Sequence, residues 1–221
     1  MTRFLIILFL FAIGIINIVA VDADGPEKAY LLLYSSHKIE YLNLENRSVK
    51  PLIANIKYCY VSPHSRKILY RNENSPELFL GSLTMGKEGK LILDSVPVAY
   101  EFGSEDVFFA LSNDGKRLFW AKYQNRESIA HTMSLSDMSV KRYPAVPGFI
   151  FKASWSPDDK KVAFYLKEKS PDFSVDDYGL CFMEVKTGDK LTFPPSLPTR
   201  INPWRPQSPR WSGDSRYILY E

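Results

Sequence analysis

The chain has 221 residues, 45% of them hydrophobic and 24% charged, enough for a substantial core and too apolar for an intrinsically disordered segment. Against 28 Lys and Arg stand 25 Asp and Glu, a formal net charge of +3. The signs alternate along the chain without forming a basic block, so no nucleic-acid partner is expected, because polyanion binders carry a clustered cationic footprint.

Residues 1–23 stand apart. Arg3 precedes an apolar run over 4–21, interrupted only by Gly14 and Asn17 and ended by Asp22 and Asp24. A positive start, an apolar stretch and small residues at its end predict an export signal, cleaved after Ala23 or after Ala20. The run also reaches the length of an uncleaved membrane anchor. Either outcome places the body outside the cytoplasm, periplasmic or secreted, with an uncleaved segment as its one expected link to a membrane.

From residue 28 onward the chain repeats itself. Segments 61–70, 111–120, 155–164 and 211–220 align without gaps on Ser62, Ser112, Ser156 and Ser212, at spacings of 50, 44 and 56 residues. Four residues after each Ser comes Lys or Arg, and six to eight residues after it come three apolar side chains. Between Ser and the base lie the residues of a tight reversal: Asp114 and Gly115 in one copy, Pro157 and Asp158 in the next, Asp214 in the last. The first copy departs from this, with His64 and Ser65 at those positions.

The apolar triplets are too continuous for a strand with one wet face, so they predict strands covered on both sides. Each motif is then a hairpin inside a larger antiparallel unit, with the basic residue at the solvent-facing exit of the turn. Further alternating strands end at polar turns near Asn46, Met85, Asp137 and Gly188, which brings each unit to four strands. The spacing suits a β-propeller blade. Counting three strands over 30–52, four in each middle unit and two in the last predicts about seventeen. Such an array is an all-β propeller of about four units over 28–221 with partial terminal blades, incomplete or truncated, because stacked repeats need their neighbours.

The run Ser156 to Phe164, with its siblings at Asn113 to Lys116 and Gly213 to Arg216, resembles the WD-like repeat of TolB and its relatives. It is also similar to the propeller domains of prolyl oligopeptidase-type proteins. The resemblance implies a non-catalytic scaffold that binds another envelope or extracellular protein. Its alternative implication is the propeller portion of a truncated peptidase or carbohydrate-active enzyme.

No catalytic constellation is legible. There is no Gly-x-Ser-x-Gly elbow and no Gly-rich phosphate loop, and His37, His64 and His131 lie in different units without metal-ligand spacing. No cofactor or metal is expected. Cys59 and Cys181 sit in apolar strand-like stretches and read as buried free thiols. The acidic loop with Asp172, Asp176 and Asp177 lacks the spacing of a calcium loop. Asn46-Arg47-Ser48 matches a glycosylation sequon. In the Pro-rich stretch 193–209, Trp204 and Arg205 are candidate partner-binding residues, being types frequent at interface hot spots.

Overall fold

The computed structural model describes residues 16–17, 30–35, 37–43, 46–62, 65–86, 90–103, 106–167, 178–193 and 208–219. Blade one comprises β1 (Ile16–Asn17), β2 (Tyr30–Ser35), β3 (Lys38–Asn43) and β4 (Val49–Ala54). Blade two comprises β5 (Ile56–Val61), β6 (Lys67–Asn72), β7 (Leu78–Met85) and β8 (Leu91–Pro97). Blade three is β9 (Asp106–Leu111), β10 (Arg117–Gln124), β11 (Glu127–Ser134) and β12 (Val140–Pro147); blade four is β13 (Phe149–Trp155), β14 (Lys161–Lys167), β15 (Tyr178–Glu184) and β16 (Lys190–Phe193). A final hairpin pairs β17 (Arg210–Trp211) with β18 (Ile218–Leu219).

Every blade is a simple antiparallel meander in sequence order. Among the described residues from Tyr30 onward there are seventeen strands, distributed as the motif spacing predicts. Blade one, expected to hold three strands, has a fourth in β1, while the last unit is described as the hairpin β17–β18, which among the described residues pairs with no strand of blade one. Within the segment read as an export signal, only Ile16 and Asn17 are described, laddered against Leu33 and Leu32.

The core consists of the layers between blades. Leu32, Ile39 and Tyr41 of blade one meet Ile56, Ile68 and Tyr70 of blade two. Leu69 and Leu78 of blade two meet Phe109, Leu118 and Trp120 of blade three. Phe119, Ala121 and Tyr143 of blade three meet Ile150, Val162 and Phe164 of blade four. The triplets of blades two, three and four therefore place their first and third side chains against the preceding blade, and Leu69 and Phe119, in the middle, face the following one. Alternation along a strand enforces that split, which is why a buried blade strand reads as unbroken apolar sequence. Tyr217, just before the last triplet, is 66% exposed.

The first strands of blades two, three and four are bulged. Their registers shift between Ile56 and Tyr58, opposite Phe119 and Ala121, and between Phe151 and Ala153. Phe108 and Lys152 take positive φ at two of these points, the conformation that inserts an extra residue and increases local twist.

Candidate functional site

The Ser-containing turns form one chemical device used three times. Ser112 Oγ donates to Asp114 Oδ1 at 2.6 Å and accepts the Arg117 N–H at 2.9 Å, while Asp114 Oδ1 accepts the Lys116 N–H at 2.9 Å. Ser156 and Asp158 repeat this with the N–H groups of Lys161 and Lys160, and Ser212 and Asp214 with those of Tyr217 and Arg216. Gly115, Asp159 and Ser215 at the fourth position have φ of 66°, 55° and 61°. Short polar residues tolerate that left-handed geometry by bonding locally. In the first copy the positive φ falls one residue later, at Arg66, and Ser62 Oγ, without an aspartate to bond, donates to Ser112 O and Asn113 O across the blade boundary. Pro157 is half-buried within its turn. The bases Arg66, Lys116, Lys160 and Arg216 are exposed, as the motif predicts.

These turns also join the blades. Asp159, only 7% exposed, accepts the Asn113 N–H at 2.7 Å and Asn113 Nδ2 at 3.1 Å on Oδ1, and the Asp114 N–H at 2.9 Å on Oδ2. Arg117 donates to Asp159 O at 2.8 Å and lies 4.9 Å from the Trp155 ring centroid. Lys67 donates likewise to Gly115 O at 2.8 Å. A Cβ on Gly115 would come within 2.6 Å of Ser65 Oγ, so the absent side chain lets the first turn approach. Trp155 and Trp211 each donate an indole N–H to the preceding blade, at Ala110 O and Ser154 O. The Ser and Asp residues singled out in the sequence are thus occupied in turn closure and blade stacking.

Burial tends to raise the Asp114 and Asp158 carboxyl pKa values, but the serine hydroxyls, the N–H groups of Lys116 and Lys160 and nearby basic charges outweigh it and hold both below the usual range. A depressed carboxylate stabilises the fold above its unfolded value of about 4, and that stabilisation is lost as pH falls through the folded-state value. The melting temperature of the parent should therefore fall more steeply below about pH 4 than that of an Asp114→Asn, Asp158→Asn variant. Parallel acid dependences would show that the two carboxylates carry no folding linkage.

A different group of residues lines a cleft of about 420 Å³ on blade three: Tyr100, Glu101, Asp106, Trp120, Lys122, Gln124, His131 and Arg142 among them. Antiparallel register builds its floor, pairing Trp120 with His131 and His131 with Arg142 across three neighbouring strands. Trp120, 1% exposed, stacks on the His131 ring at 4.9 Å between centroids and 12° between planes. Asp106 is held on both oxygens, by Trp120 Nε1 at 3.1 Å and the Gly103 N–H at 2.6 Å. His131 Nδ1 is buried without a hydrogen-bond partner. Burial lowers the His131 pKa, with help from the charges of Arg142 and Lys122 and against the pull of Asp106 and an Ile129 backbone contact. Nothing in the sequence announces this cleft, because its residues are widely spaced and of ordinary types.

The remaining candidates are scattered. His37 pairs with Glu73 at 2.5 Å on the surface, linking the first two blades. Neither Cys59 nor Cys181 forms a disulfide; Cys181 is buried in an apolar cluster as expected, whereas Cys59 is half-buried against another, where loss of solvation still pushes its thiol up to about 12. Trp204 and Arg205, the acidic residues of 168–177 and His64 lie outside the described residues. Among the described residues no group of three or more His, Cys, Asp or Glu is placed to hold a metal, and no helix is long and apolar enough to cross a membrane.

No protein-family model matches the sequence, and no curated protein matches it. Similar solved structures do exist. Kuenenia stuttgartiensis hydrazine synthase matches at a TM-score of 0.59 and 11% identity, over 93% of this chain and 72% of that one. The nidogen/laminin complex gives 0.58 and 12%, over 86% and 69%, and Pyrococcus horikoshii acylaminoacyl peptidase gives 0.52 and 13%, over 74% and 30%. The chain thus spans less than a third of the peptidase it matches. At these identities the likeness concerns the fold alone. Four-stranded meanders, side-by-side packing of blades and these neighbours agree on one architecture: the chain is an all-β propeller, the fold that its TolB-like repeat implied.

Proposed function

We propose that this propeller is a non-catalytic, extracytoplasmic scaffold that binds another protein. The observation that supports it is the blade-three cleft, where aromatic, cationic, carboxylate and amide side chains converge on one surface without a nucleophile paired to a base. The motif serines engage aspartate and backbone, and the two described histidines, His37 and His131, meet a glutamate and an indole ring. A convergent polar cleft over an aromatic floor suits recognition.

Photo-crosslinking in cells tests the reading. A crosslinker at Glu101 or Gln124, exposed positions on the cleft, should capture one discrete partner, and one at the remote, exposed Asn46 should not. Equal capture at all three sites, or none, would remove the case for a docking face there. Export is checked separately by mass spectrometry of the mature N-terminus. A start at Asp24 or Val21 is expected of a cleaved chain, and an intact Met1 in the membrane fraction is expected of the anchored form.

A further inference from the structure

Blade one is completed by a piece of the chain that export would take away. Ile16 and Asn17 ladder antiparallel against Leu33 and Leu32 as β1, in the place that β5, β9 and β13 hold in the other blades. Cleavage after Ala20 or Ala23 removes both residues, and an uncleaved run embedded in a bilayer withdraws them equally. β2 then keeps only its six-residue ladder with β3. Among the described residues no other strand pairs with the vacated side.

That edge is unlike the outer edges of the blades. The last strands carry groups that deter strand addition: Lys50 and Pro51 in β4, Asp94 and Pro97 in β8, Lys141, Arg142 and Pro144 in β12, and Lys190 in β16. β2 has neither a charge nor a proline, with Leu31, Leu32 and Leu33 between Tyr30 and Tyr34, and its register with β3 runs without a bulge. Leu32 is buried in the layer shared with blade two, so the strand is fixed from that side. In the other blades the first strand supplies Ile56, Phe109 and Ile150 to the apolar layers. A segment in this position therefore gains burial as well as backbone hydrogen bonds.

We infer that in the exported chain this edge of β2 accepts an extended, uncharged, β-branched segment of the partner protein as the first strand of blade one. This rests on the protein-binding reading and adds a point of attachment on a different blade from the cleft. The segment already seated there indicates the chemistry: residues 15–21 are uncharged, and Ile15, Ile16, Ile18, Val19 and Val21 are β-branched, the side chains that suit a pleated, half-buried surface. Main-chain bonds to β2 supply affinity, and alternate side chains supply selectivity.

The probe is a fluorescein-labelled peptide of residues 14–21 with a two-lysine tail for solubility, followed by anisotropy. It is offered to the full chain in two forms, the exported protein and the unprocessed protein with Met1 intact. The exported form should bind it, and the unprocessed form about tenfold more weakly or less, because a tethered segment competes at an effective concentration of about millimolar. A peptide carrying Ile16→Pro and Asn17→Pro should not bind, since proline has no N–H to give to the ladder. Amide exchange over 30–35 should be faster in the exported form and slow on addition of the peptide, while exchange over 149–155 stays unchanged. No uptake of the peptide, equal uptake by both forms, or uptake that survives the two prolines overturns the inference. An exported form whose 30–35 amides are as protected as in the unprocessed form also overturns it. Dimers that form without peptide uptake would assign the edge to a second copy, with the same consequence. Each of these leaves the cleft to its own test: loss of capture at Glu101 and Gln124 while the peptide still binds counts against the cleft alone.

Discussion

Phe164→Ala lowers the unfolding free energy by about 3–5 kcal/mol, the usual loss when a fully buried aromatic is truncated. Phe164 is 1% exposed and stacks on Phe119 of the preceding blade, with ring centroids 6.2 Å apart and planes 17° apart. Truncation would open a void in the layer shared by blades three and four. Val162, Trp155 and Ile150 line the same layer and are themselves buried, so they have little freedom to collapse into it. Urea titration is the measurement. His131→Ala, which removes one ring stack at the edge of another layer, should cost about 0.5–1.5 kcal/mol. A Phe164→Ala variant no more affected than that would mean that the stacked layers do not carry the stability of the array.

Asp159→Ala is the second large effect, about 2–4 kcal/mol, because a buried acceptor of charge-assisted bonds is removed and its donors are left without it. Three hydrogen bonds to Asn113 and Asp114 of the preceding blade end on this one carboxylate. Alanine also loses the short polar side chain that makes a φ of 55° tolerable at this position. Asp159→Gly separates the two contributions, since glycine accepts the backbone conformation without the carboxylate. If the turn-to-turn link is what matters, the glycine variant should recover only a minor part of the loss. The same link makes Asn113→Ala non-additive with Asp159→Ala in a double-mutant cycle. Full recovery by glycine, or strict additivity, would assign the effect to backbone strain alone.

How much of this was legible beforehand depends on the range of the interactions. The hairpin turns were readable because their chemistry is local: a Ser hydroxyl, an aspartate two residues on and the N–H groups four and five residues on close within one short window. The triplets were readable as doubly covered strands because the period of two assigns Leu118 and Trp120 to one neighbour and Phe119 to the other, leaving no polar face. Repetition of that local code was enough to predict the four-stranded blades and the strands from Tyr30 onward. The first copy marks the edge of this legibility: without an aspartate at its third position the turn shifts its positive φ to Arg66 and sends Ser62 to the next blade.

By itself, then, the sequence determined the all-β class, the four-stranded blades and the apolar layers, since each follows from residues close together in the chain. Only the tertiary structure decided what lies across strands and blades. Asp159, Gly115 and Ser215 look like interchangeable turn residues, yet stacking turns one into a buried acceptor, one into a point of close backbone approach and one into a bond to the Asp158 N–H. His131, unremarkable as an isolated histidine, becomes part of a polar cleft because antiparallel register sets Trp120 and Arg142 on either side of it. Register couples residues by position on neighbouring strands rather than by spacing along the chain, and bulges such as those opposite Phe119 and Ala121 shift that register locally.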